Sequence, residues 1–171
     1  MAEERLLGRR IAGAVVAAML LLAPAARAAC TDAAAPGVDW RRCVQDGGEF
    51  AGKDLQGATL RDASFAFADL SGAGLDKAEA YHAKFVNAKL AGAHLDGAHL
   101  GEADFTVADL RGASLRCADL TRANFFHAVL RDADLTGARL GGADLANAEL
   151  GGALWTDGKQ RCAADSLGQC N

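Results

Sequence analysis

The chain has 171 residues, 51% of them hydrophobic and 6% aromatic, with 18 Lys plus Arg against 22 Asp plus Glu and a formal net charge of −4. This length fits one domain, and the mild acidity argues against binding nucleic acid or an anionic membrane through a basic patch. Five cysteines in so short a chain make its redox compartment part of any functional reading.

The first residues read as an export signal. Arg5, Arg9 and Arg10 precede an apolar run from Ile11 to Leu22, and Ala26-Arg27-Ala28 supplies a small-x-small cleavage site, so residues 1–28 are expected to be a signal peptide. The run is too short to span a bilayer comfortably, and no stable membrane span is expected after cleavage. Arg9-Arg10 leaves the twin-arginine route open beside general secretion. Cys30, close to the cut, leaves lipidation open beside disulfide bonding. Cleavage removes four Arg and two Glu, leaving 14 basic against 20 acidic side chains and a net charge near −6 on a mature chain of about 143 residues. The expected location is periplasmic or secreted.

Residues 29–49 are expected to form an N-terminal cap segment, and from there a five-residue period takes over. Alanine recurs at every fifth position from Ala58 to Ala153, twenty times without exception, and a large apolar centre follows each alanine by two residues. The centres are Leu or Phe from Leu55 to Leu150, interrupted by Ala80 and closed by Trp155. Such a period marks a solenoid. Five residues fit neither a helix nor a flat strand, so the chain must turn once per repeat. Phe65, Phe85, Phe105 and Phe125 lie twenty residues apart, which makes four repeats one coil and the phenylalanines one interior column. Coils should stack ~4.8 Å apart, as strands do in a sheet. The lumen then has space for one large centre and one methyl group per repeat. Gly57, Gly72, Gly92, Gly97 and Gly112 fall where corners need positive φ. Ala80 predicts a local thinning of the core, with Tyr81 as its cover.

Windows such as Ala68-Asp69-Leu70, Ala108-Asp109-Leu110 and Ala123-Asn124-Phe125 resemble the pentapeptide-repeat family, whose pattern is A-[D/N]-L-x-x with a Leu or Phe centre. The resemblance covers residues 53–155. It implies an all-β fold, a right-handed quadrilateral parallel β-helix with one repeat per side, here placed at residues 50–155. Residues 156–171 are expected to form the C-terminal cap, and their sequence resembles the endings of exported bacterial members. Cys30 and Cys43 flank the N-terminal segment while Cys162 and Cys170 lie beyond the repeats. A solenoid keeps those two ends ~25 Å apart, so the expected disulfides are Cys30 with Cys43 and Cys162 with Cys170. Capped ends with Trp40 and Trp155 as lids would protect the edges of the parallel sheets. Cys117 stays free.

Stacking by twenty lets the surface be read in columns. Glu79 and His99 share one column, His82 and Glu102 another. Imidazoles and carboxylates at this spacing could hold a zinc-like ion; the competing reading is a solvated ladder of alternating charge, each pair contributing little. No HExxH, CxxC pair, phosphate-binding glycine loop or GxSxG elbow occurs, and no catalytic residue or cofactor is expected. A neighbouring surface carries Phe67, Val86, Val107 and Phe126 in adjoining outward columns. They are either scattered surface apolar groups, which need no explanation, or one docking surface. The function expected is that of an exported, non-enzymatic scaffold that binds an unidentified protein partner or a second copy of itself through a side face. Two alternatives stand beside it. The family includes DNA-mimicking proteins that protect topoisomerases from quinolones, though here Lys77, Lys84, Lys89, Arg111, Arg116, Arg122 and Arg131 break the acidic rows; the histidine ladder suggests a metal-binding protein or enzyme.

Overall fold

The computed structural model describes residues 30–171; the signal-peptide expectation for residues 1–28 lies outside the described residues. From Asp39 onward each repeat is bridged in parallel to the residue twenty positions ahead, from Asp39 with Thr59 to Asp134 with Leu154. The chain therefore winds as stacked coils at 38–57, 58–77, 78–97, 98–117, 118–137 and 138–157, numbered one to six. Each coil has four sides. Their centres in coil two are Leu60, Phe65, Leu70 and Leu75, which define sides one to four.

The hydrogen bonds explain the period. The centre residue donates its N–H to the coil ahead, as Leu60 does to the Glu79 carbonyl at 2.8 Å, and the residue before it donates to the coil behind, as Thr59 does to Val38 at 2.8 Å. The next alanine donates back across the corner, Ala63 to Leu60 at 3.0 Å. Backbone groups are thus paired on both sides of the coil, which a buried parallel ladder requires. All of the twenty alanines are buried except Ala143, which is half-buried in the last coil. Phe65, Phe85, Phe105 and Phe125 stack with centroids 5.5, 5.0 and 5.0 Å apart and planes within 9° of parallel. The expected interior column is therefore present. Ala80 remains buried, and Tyr81 lies outside against Gly101, where an added Cβ would stand 3.2 Å from the ring.

The ends differ from the reading of the sequence. Residues 38–49, placed in the cap, are wound as part of coil one. There Val38, Cys43, Gly48 and Lys53 stand where later coils have alanine, because a terminal coil has a neighbour on one face only and its inward position need not be a methyl. Trp40 is an interior centre rather than an outer lid: it is 1% exposed and packs on Phe50 and Phe65, with centroids 5.3 and 6.2 Å away. Gln45 ends the phenylalanine column, its Nε2 donating to the Cys30 carbonyl at 2.8 Å. Both expected disulfides form, Cys30–Cys43 and Cys162–Cys170, with Cα atoms 5.3 and 4.8 Å apart, and Cys117 is free and exposed.

At the far end the chain reverses after Trp155 and runs antiparallel over coil six, bridging Leu154 to Arg161 and Glu149 to Leu167. This cap takes up the N–H groups of Leu150, Gly152 and Trp155. Among the described residues those of Leu140, Gly142, Leu145 and Asn147 have no hydrogen-bond acceptor, so sides one and two of coil six end in an open edge.

Candidate interaction edge

Every corner passes through one residue with positive φ, and the residues that occupy these places are segregated. After sides three and four they are mostly glycine: Gly52, Gly72, Gly92, Gly112 and Gly152 along one edge, Gly37, Gly57, Gly97 and Gly137 along the other. The exceptions there are Asp132, Lys77 and Cys117. After side one the sequence of corners is Arg42, Asp62, His82, Glu102 and Arg122 and ends on Gly142; after side two it starts on Gly47 and continues Phe67, Asn87, Val107, His127 and Asn147, the side-chain-bearing corners all between +55° and +61°. A left-handed conformation costs an L-residue roughly 1–2 kcal/mol. For a β-branched or bulky residue it is a true outlier. Two adjacent edges therefore carry side chains at positions where glycine would be easier.

The edge after side two is the apolar one. Phe67 is 67% exposed, Val107 48% and Phe126 39%, while Val86 is half-buried. Phe67 donates its N–H to the Val86 carbonyl at 2.9 Å, and Val107 to that of Phe126 at 2.9 Å. The four residues of the expected face are thus two abutting pairs, one in coils two and three and one in coils four and five, separated by the polar step of Asn87 onto Thr106. Phe126 also meets His127 edge-on, at 4.3 Å between centroids.

The edge after side one is a relay of alternating basic and acidic side chains. Arg42 lies 3.9 Å from Asp62, His82 Nδ1 lies 3.6 Å from Asp62, His82 Nε2 bonds Glu102, and Arg122 bonds Glu102 from the next coil. The hydrogen bond from His82, then that from Tyr81, holds the Glu102 carboxyl below its usual value; the same contact raises the Tyr81 hydroxyl. Tyr81 also stacks on His82 at 4.3 Å. On side one itself Arg61 and His99 approach Glu79 at 3.2 and 3.7 Å, and Arg139 bonds Asp119. The side-one row, with Tyr81, Thr121 and Arg122 beside it, lines a groove of about 450 Å³ that also includes Gly101.

The four metal candidates are brought near one another in two separate pairs, His99 with Glu79 and His82 with Glu102. Each carboxylate is also taken by an arginine, Arg61 or Arg122. Among the described residues no group of three or more His, Cys, Asp or Glu side chains could hold a metal ion. The twenty-residue stacking rule places Arg139 in the column of Glu79, His99 and Asp119, but it does not reveal the reach of the Tyr81 hydroxyl, which the sequence reading did not single out. No helix among the described residues is long and apolar enough to cross a membrane.

A four-sided coil with one five-residue repeat per side defines the class, and the family model for pentapeptide repeats matches in eight copies over residues 47–75, 54–90, 88–125 and 123–154. The chain belongs to the pentapeptide-repeat family, whose members fold as right-handed quadrilateral β-helices and are in general structural or interaction proteins. Among solved structures it is similar to HetL, a pentapeptide-repeat protein involved in heterocyst differentiation regulation from the cyanobacterium Nostoc sp. strain PCC 7120. The two share 33% identity over 72% of this chain and 64% of HetL, with a TM-score of 0.55. It is also similar to QnrB1, a plasmid-mediated fluoroquinolone resistance protein, at 21% identity over 70% of this chain and 64% of that one, with a TM-score of 0.54. The chain thus spans just under two thirds of either structure's length. No curated protein gives a match.

Proposed function

We propose that the protein is an exported, periplasmic or secreted, non-enzymatic scaffold that docks other protein surfaces along the edge after side two. The observation that carries this is Phe67 and Val107, held exposed at left-handed corners where glycine would relieve strain. Strained backbone at exposed positions is a mark of functional surfaces. Exposed aromatic anchors commonly dominate protein interfaces. The two terminal disulfides support export, since such bonds persist in oxidising compartments. Cell fractionation tests the location: mature protein should leave the cytoplasm, and alkylation without reduction should label Cys117 and no other cysteine. Recovery in the cytoplasm with all five thiols labelled would refute it. For docking, immobilised wild type and a Phe67→Ser/Phe126→Ser variant are compared on an extract of the same compartment. Bands retained by wild type should be lost from the variant; equal retention would sink the assigned edge.

The likeness to QnrB1 is one of fold, and it carries no function across. DNA mimicry needs uninterrupted acidic rows, whereas Lys84 and Lys89 here sit in the outward columns beside Asp104 and Asp109. Binding of a metal by the His/Glu ladder is checked by elemental analysis of the purified protein.

A further inference from the structure

The order of groups along the apolar edge reads the same in both directions. Coil two presents Phe67, coil three Val86, coil four Val107 and coil five Phe126. The outward columns on the two flanking sides change sign at the same midpoint. Lys84 and Lys89 lie in coil three, Asp104 and Asp109 directly above them in coil four. A two-fold axis perpendicular to the solenoid, passing between coils three and four, would exchange coil two with coil five and coil three with coil four. Under that operation the layer of Phe67 meets that of Phe126 and the layer of Val86 meets that of Val107, each pair offset by one column, with His127 also opposite Phe67. Each lysine comes opposite an aspartate of the other copy. Self-complementarity of this kind is what a two-fold interface demands.

Resting on the reading of this edge as a docking surface, we propose that its occupant is a second copy of the chain, packed side by side and antiparallel. Among the described residues neither Lys84 nor Asp104 makes an ion pair within its own chain, although both border one shallow groove. Across the axis Lys84 gains Asp104 of the second copy, and the reciprocal pair forms by symmetry. Lys89 and Asp109 already have partners in Asp69 and Arg111 and add less. One like-charge meeting, Glu49 with Glu149, falls at the far ends, where Arg131 already holds Glu149 at 2.7 Å. The two phenylalanines, two valines and flanking charges would bury roughly 300–400 Å² per copy, below the ~800 Å² of a standard interface. The dimer is therefore weak and reversible, forming at about 10 µM to 1 mM.

Sedimentation velocity over that range tests it, with circular dichroism confirming that each variant keeps its solenoid. Wild type should dimerise, and Phe67→Ser/Phe126→Ser should not. Lys84→Asp and Asp104→Lys should each weaken association at least about tenfold, because each homodimer then meets like charge across the axis. Mixed together, they should associate again, since the heterodimer restores both opposite-charge pairs. Lys84→Asp breaks no hydrogen bond, so it and the serine pair keep the test alive even where Asp104→Lys folds poorly. Wild type that stays monomeric to about 1 mM overturns the proposal. So does a dimer indifferent to these changes, which would place the contact elsewhere, such as the open edge of coil six. Loss of the dimer with serine-sensitive capture of another protein would overturn this inference and leave the docking function standing.

Discussion

The two glycine-lined edges and the two side-chain-bearing edges of this solenoid have the same backbone turn and opposite chemistry. After side three, Gly52, Gly72, Gly92 and Gly112 follow one another and add nothing outward, and after side four Gly57, Gly97 and Gly137 alternate with Lys77 and Cys117. After sides one and two, the same turn is made by His82, Glu102, Phe67 and Val107 at φ values between +57° and +61°. The fold alone prefers glycine at each of these places. Charge and apolar surface are instead placed along the two edges that bound the phenylalanine side. The difference separates what maintains the coil from what projects from it.

The interior should be indifferent to which edge lies outside it, and this gives the largest expected effect. Phe105 stands between Phe85 and Phe125 with no exposed surface. Phe105→Ala would leave a cavity that a lumen lined with methyl groups cannot collapse into, and should cost about 3–5 kcal/mol in denaturant unfolding. A loss under 1 kcal/mol would mean that the column is not what holds the coils together. Next in size is the reverse of the natural pattern at a glycine edge. A Cβ at Gly92 meets nothing within 4 Å, yet φ is +66°. Gly92→Val should therefore lose about 1–2 kcal/mol from backbone strain alone. A neutral result would show that these corners do not discriminate, and the contrast between edges would lose its meaning.

The coil was legible in the sequence because its cause is local and repeated: an alanine fits where nothing larger can, and Phe65, Phe85, Phe105 and Phe125 reveal the count of sides by their spacing. The disulfide partners were legible for the same reason, since a solenoid fixes which cysteines share an end. The ends were less so. Trp40, Gln45 and Phe50 are centres of coil one, but with no coil beneath them the alanine rule lapses, and residues 38–49 looked like a cap. Nor did the sequence reveal that the C-terminal segment pairs antiparallel with only two sides of coil six, because that depends on where the chain turns after Trp155. On the surface, Phe67 and Val107 were visible as outward residues. Their left-handed backbone followed from the five-residue period, since 67 and 107 stand in phase with Gly57, Gly97 and Gly112, although no glycine marks those two positions themselves.

The contrast sharpens where a side-chain corner is made like a glycine one. Val107→Gly removes the roughly 1–2 kcal/mol of left-handed strain on a β-branched residue. It returns roughly 0.5–1 kcal/mol through the greater freedom of glycine in the unfolded chain. The net expectation is a gain of up to about 1.5 kcal/mol in thermal or denaturant unfolding, together with weaker docking at the edge. Stability and binding should move in opposite directions at this one position. A variant that is both less stable and unimpaired in binding would mean that the valine serves the fold.

The smallest effect belongs to the polar edge, where exposure to water screens each ion pair. Glu102 is held below its usual value of 4.5, chiefly by the bond from His82 and then by that from Tyr81. A carboxyl depressed on folding stabilises the native state fully above its unfolded value, and the contribution disappears as pH falls through the lower folded value. Wild type and Glu102→Gln should therefore differ in melting temperature at neutral pH, wild type being the more stable. The two curves should converge once the solution is acidic enough to protonate Glu102 in the folded chain. Because the group stands at an exposed corner, the gap should be small and shrink with added salt. Curves that run parallel through the acid range would show that Glu102 gains nothing from its neighbours when charged. In that case the relay from Arg42 to Arg122 would be a row of solvated side chains, and only the apolar edge would remain as an explanation for the strained corners.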